Sequence, residues 1–126
     1  MAKQLGCFVK EARRYITEWD AESADEKLAA GGVLVIDVRE PDEFNSGHIA
    51  GAINIPRGTL EASADATTKH RHPDLCHAQD KPILLYCHSG ARSAMAAYVL
   101  MQMGFNQAYS LAGGLECWEA EGLALE

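Results

Sequence analysis

A chain of 126 residues, 48% of them hydrophobic, is one domain of ordinary size that can bury a single core without disulfide staples. Eighteen acidic against eleven basic side chains leave a net charge of −7, which argues against nucleic acid and anionic membrane as partners but leaves room for a local basic pocket around a small anion. No run reaches the roughly 18 apolar residues of a membrane span, and Met1-Ala2-Lys3-Gln4-Leu5 carries no signal-peptide core, so the cytoplasm is the expected location.

From Gly6 to Tyr15, Phe8, Val9, Ala12, Tyr15 and Ile16 recur at helical spacing, with Lys10, Glu11, Arg13 and Arg14 on the other face, which predicts a short amphipathic helix. Two fates stand open for its apolar stripe: packing on the domain or a homodimer contact. Tyr15 to Trp19 reads as a first short strand, and Asp20 as the N-cap of a helix over 21–30 that Gly31-Gly32 ends. Val33 to Val38, apolar but for Asp37 and rich in β-branched residues, has the pattern of a strand buried on both faces of a parallel sheet. A short helix follows with Pro41 in its first turn; 46–51 is loop, and Ala52 to Ile55 a brief strand stopped by Pro56. Helical preference over 57–64 gives way to a polar excursion over 65–80. The apolar run Ile83 to Tyr86, introduced by Pro82, is the next strand. A helix over 94–103 closed by Gly104, a strand over 107–111, a turn at 112–114 and a helix over 115–121 complete the chain. Strands separated by helices point to an α/β fold with a mostly parallel sheet covered on both faces.

Cys87-His88-Ser89-Gly90-Ala91-Arg92-Ser93 is the stretch with chemistry in it. It lies between a strand end and a helix start, where unpaired N–H groups and the helix dipole stabilise an anion. Gly90 with small Ser89 and Ala91 lets the backbone curl so that successive N–H groups converge on the Cys87 sulfur. Arg92 adds positive field, and together these favour the thiolate near neutral pH. The alternative for Cys87 is a buried small hydrophobe. In an open parallel sheet ligand sites gather at the carboxyl ends of strands, which also brings in Arg39, beyond the strand that ends near Val38.

Asp37 to Phe44, Gly47 to Pro56, Cys87 to Ser93, and Ser110-Leu111-Ala112-Gly113-Gly114 with Trp118 and Gly122 together resemble the single-domain rhodaneses, a family of sulfurtransferases, in the family's order and over roughly residues 15–123. The resemblance implies a rhodanese-like fold with a five-stranded sheet over 15–126, preceded by a helical extension over 1–14. It implies that Cys87 takes sulfur from a small anionic donor such as thiosulfate, carries it as a persulfide, and passes it to cyanide in the assay or, in the cell, to a thiol, including a thioredoxin-like protein. The loop from His88 through Ser89, Gly90, Ala91 and Arg92 to Ser93 would bind the donor, with Arg39 as a further contact or as the partner of Asp37 in a structural ion pair. No metal or organic cofactor is implied. Related folds that dephosphorylate place five residues between cysteine and arginine; here four intervene, which favours sulfur over phosphate or arsenate. A persulfide carrier or regulatory binding module with poor thiosulfate turnover is the main alternative. At 88 the family often has arginine or another basic or polar residue, and His88 supplies charge only when protonated, so donor affinity would weaken as pH rises.

Other residues are expected to be structural. His48 reads as a hydrogen-bonded histidine and Trp118 as core. His70, His72, Cys76 and His77 match no common zinc spacing and read as a solvated loop with few apolar anchors. No C-x-x-C pairing links Cys7, Cys76, Cys87 and Cys117, and reduced thiols are expected. For sulfur relay, Cys76 on a mobile segment is the better candidate, with Cys117 expected to be packed beside Trp118.

Overall fold

The runs Val33 to Val38 and Ile83 to Tyr86 become neighbouring strands in a computed structural model that describes residues 2–126. Five strands, β1 Thr17–Trp19, β2 Leu34–Asp37, β3 Ile53–Asn54, β4 Ile83–Tyr86 and β5 Ala108–Leu111, pair in the order β1-β5-β4-β2-β3, and every pairing is parallel. All four residues of β4 are buried, as its lack of alternation requires. Asp37 lies opposite Tyr86 and Leu85 opposite Ser110, so the carboxyl ends of β2, β4 and β5 share one edge. From β2 the chain runs outward to β3 and then returns to β4 on the other side. In open parallel sheets such a reversal marks the crevice where ligands bind, here the carboxyl edge between β2 and β4.

Among the described residues six α-helices flank and join the strands: α1 Leu5–Tyr15, α2 Ala21–Ala30, α3 Pro41–Asn45, α4 Leu60–Ala64, α5 Ala91–Gln102 and α6 Gly114–Ala120. Because side chains alternate along a strand, β2 and β4 feed two apolar layers. Ile36, Val38, Ile83 and Leu85 meet Leu60 and Ala64 of α4 and Ala96, Ala97 and Leu100 of α5. Val35, Leu84 and Tyr86 meet Ala21 and Ala24 of α2 and Leu115 and Trp118 of α6. Asp20 caps α2 by accepting the Ser23 N–H at 2.8 Å.

Part of the N-terminal stripe packs on the domain: Val9 and Ala12 of α1 are buried with Ala94 against Ala91, Met95 and Tyr98, while Phe8 is exposed. Tyr15 stacks on Tyr98 with ring centroids 5.2 Å apart. α5 begins three residues before the expected position, because Gly90 adopts φ +98° and caps it from the left-handed region. The excursion over 65–80 is better anchored than its polarity predicts. Leu75, Cys76 and Ala78 are buried, Leu75 and Ala78 within the α4–α5 layer, and the His72 N–H donates to Ser63 O at 2.8 Å. Among the described residues no helix is long and apolar enough to cross a membrane.

Candidate active site

Cys87 follows the last residue of β4 and is 1% exposed. Its Sγ is met by the Gly90 N–H at 3.1 Å and the Ser93 N–H at 3.4 Å, and lies 3.5 Å from Ser93 Oγ. The Gly90 conformation turns its N–H inward, and the early start of α5 places the free N–H of Ser93 in the first helical turn, aimed at the same atom. Ser93 Oγ in turn sits 2.8 Å from Ser110 Oγ at the end of β5, and both serines are fully buried. A hydroxyl can rotate. With Cys87 as a thiol, the sulfur can donate to Ser93; with Cys87 as a thiolate, Ser110 can donate to Ser93 and Ser93 to the sulfur. The pocket floor therefore serves both protonation states, with sulfur as acceptor of up to three hydrogen bonds in the anionic one.

A second helix terminus holds the other side of the cysteine. At the start of α6, the Leu115 N–H donates to Cys87 O at 3.0 Å and the Glu116 N–H to His88 O at 3.1 Å. These bonds fix the cysteine backbone while leaving its sulfur to the loop. They require close approach at Gly114, which has φ +56°; a Cβ there would fall 2.5 Å from Cys87 O and 2.6 Å from His88 O.

The charged side chains around the loop are mostly paired. Arg92 makes a two-pronged bond to Glu43 of α3, Nη1 to Oε1 at 2.9 Å and Nη2 to Oε2 at 3.1 Å. Bonding to Arg92, helped by the Glu40 N–H, pulls the Glu43 carboxyl down to about 2 against desolvation. His88 is exposed, with Nε2 3.0 Å from Glu116 Oε1. Ser89 is exposed and Ala91 half-buried at the loop's outer side. Arg39 stands apart from the loop group: Nε and Nη2 donate to the Asp37 carboxylate, the shortest contact at 2.7 Å, and Nη2 also donates to Gly47 O at 2.7 Å. Its guanidinium lies over the Tyr86 ring, 5.8 Å from the centroid, and the residue is 6% exposed. Of its two expected roles, the geometry is that of the ion pair with Asp37.

His48 Nδ1 lies 3.1 Å from Phe44 O, and its ring stacks on Phe44. Trp118 is buried and donates to Ala124 O at 3.1 Å. The two relay cysteines exchange their expected places. Cys76 is buried, while Cys117 is exposed, because Leu115 and Trp118 define the inward face of α6 and Cys117 lies off it against Gly113. Sequence reasoning missed Glu43, Ser110 and Glu116 as partners of the loop.

The arrangement is a cysteine cradled by main-chain N–H groups at a βα junction of a five-stranded parallel sheet, the architecture of an α/β domain. The Rhodanese-like domain profile matches residues 20–121, and the chain belongs to that family. A protein named sulfurtransferase from Allochromatium vinosum is 32% identical over 87% of this chain and 94% of its own length. Thiosulfate sulfurtransferase GlpE of Ectopseudomonas mendocina is 34% identical over 75% and 78%. Protein RPA3614 of Rhodopseudomonas palustris, described as a possible tyrosine phosphatase, has a solved structure that superposes over 100% of this chain and 96% of its own with a TM-score of 0.91 at 29% identity. Together the domain match and the sulfurtransferase relatives make this chain a rhodanese-type sulfurtransferase.

Proposed function

We propose that the protein moves sulfane sulfur from a small anionic donor, thiosulfate above all, to a thiol acceptor through a persulfide on Cys87. The observation that carries this reading is the convergence of the Gly90 and Ser93 N–H groups on Cys87 Sγ at 3.1 and 3.4 Å. The thiolate attacks the outer sulfur of thiosulfate; a sulfur–sulfur bond forms, the bond to the sulfonate sulfur breaks, and sulfite leaves with the electron pair. In the second step an acceptor thiolate, or cyanide in the assay, attacks the outer persulfide sulfur and Cys87 leaves as thiolate. Both steps begin and end on sulfur anions, so donors fixed in the backbone stabilise each state without rearrangement. His88, Ser89 and Ala91 form the rim past which donor and acceptor enter, and Arg92 contributes its charge in proportion to its release from Glu43. Arg39 supports the β2 end of the crevice through Asp37.

The thiosulfate sulfurtransferase name of a relative supports thiosulfate as donor. The description of the Rhodopseudomonas protein raises phosphate chemistry, but four residues between Cys87 and Arg92 make a loop shorter than the five-residue cradle of the phosphatases, and Arg92 is held by Glu43. Incubation with thiosulfate followed by intact mass tests the reading. A gain of about 32 Da, reversed by cyanide and absent in Cys87→Ser, is expected under the covalent scheme. No sulfur adduct from any sulfane donor would end the reading, as would turnover of an aryl phosphate faster than of thiosulfate.

A further inference from the structure

Of the three guanidiniums near the crevice, two have carboxylate partners in full hydrogen-bonding contact. Arg92 is bidentate on Glu43, and Arg39 is bound to Asp37 and Gly47 O. The third, Arg13, comes from α1. A Cβ built on Gly90 would lie 3.4 Å from Arg13 Nη2, so the guanidinium rests against the residue whose N–H binds Cys87 Sγ. The lengths of these contacts place Nη2 within about 9 Å of the sulfur. Arg13 meets Glu18 only through Nε, at 3.6 Å, and among the described residues neither of its Nη atoms makes a hydrogen bond. The side chain is 43% exposed. Lys10, one turn earlier, joins Arg13, Val9 and Ala91 in lining the groove between α1 and the loop.

This placement is built in. Val9, Ala12 and Tyr15 anchor α1 on α5, which fixes where the Arg13 stem begins. The field at the loop depends on it. Arg92 is paired with Glu43 and His88 faces Glu116, so the rim side chains of the loop have their positive groups matched by carboxylates and supply no unpaired cation. We propose that Arg13, supplied by a helix outside the 20–121 family match, is the cation that favours anionic substrates at the Cys87 loop. The thiosulfate arm of its test rests on the sulfurtransferase reading; a second arm needs only the Cys87 thiol.

The second arm compares alkylation of Cys87 by iodoacetate, an anion, with alkylation by neutral iodoacetamide, read by peptide mass spectrometry in a Cys7→Ser, Cys117→Ser background. Taking the ratio of the two rates cancels the reactivity of the thiol and leaves the effect of reagent charge. Removing one unit charge within about 9 Å predicts that Arg13→Gln lowers this ratio about twofold, while the doubly charged thiosulfate shows a KM raised about fourfold with little change in kcat. Arg13→Lys restores most of both, and added salt erases both. An unchanged ratio in Arg13→Gln overturns the proposal. So does a drop that Arg13→Lys does not recover, since that traces the effect to shape. If thiosulfate never loads Cys87 in the parent while the ratio still follows the charge at 13, the sulfurtransferase reading fails and the role of Arg13 in attracting anions stands.

Discussion

Glu43→Gln separates what the Arg92 pair does for stability from what it withholds from substrate. The two side chains are 36% and 37% exposed. A carboxyl held at about 2 rather than 4.5 would contribute about 3 kcal/mol if fully shielded, and solvent screening at this exposure brings that to about 1 kcal/mol or less. The folded-state value is depressed, so this stability is present above pH 4.5 and is lost as pH falls through 4.5 towards 2. Denaturant midpoints of parent and Glu43→Gln should therefore differ by about 1 kcal/mol at neutral pH and converge as pH drops through that window. The functional effect has the opposite sign. Without Glu43 the loop gains a free guanidinium fork and loses a negative charge, so the KM for thiosulfate should fall about three- to fivefold at low salt with kcat little changed. An unchanged or raised KM in a folded variant would refute the view that Glu43 competes with the donor for Arg92.

Two further substitutions probe the cradle. Ser110→Ala removes the donor that lets Ser93 turn its hydroxyl to the sulfur; kcat/KM should fall about tenfold, whereas a stability loss with kcat/KM unchanged would limit Ser110 to packing. Gly114→Ala combines positive φ with a Cβ 2.5 Å from Cys87 O, and should cost about 2–4 kcal/mol in thermal or denaturant unfolding and most of the activity; a near-parent variant would mean that α6 does not clamp the cysteine.

The strands and the cysteine loop were legible because their signals are local. Val33 to Ile36 and Ile83 to Tyr86 are apolar without alternation, and burial on both faces writes that pattern into the sequence. Cys87, Gly90 and Ser93 lie within seven residues, so loop and helix start could be read together. Glu43 and Ser110 could not be read as site residues, because they reach the loop from α3 and β5 across sequence separations of 49 and 17 residues. Arg13 looked like one charge on the polar face of a helix whose docking place was open. The reversal of Cys76 and Cys117 has two causes. Leu115 and Trp118, three apart, already marked an inward stripe that excludes Cys117. Cys76 follows a single buried leucine within a series of turns that has no periodicity to read.

The contacts to the Cys87 sulfur come from main-chain N–H groups and one buried hydroxyl, while the side chains of His88 and Ser89 face solvent and that of Ala91 is half-buried at the rim. Under the proposed persulfide scheme, reactivity and selectivity would occupy different atoms of one short loop. On that scheme, changes at 88, 89 and 91 would retune which donor or acceptor is admitted without disturbing the N–H groups on the sulfur, which makes these three positions the natural place for divergence or engineering to act.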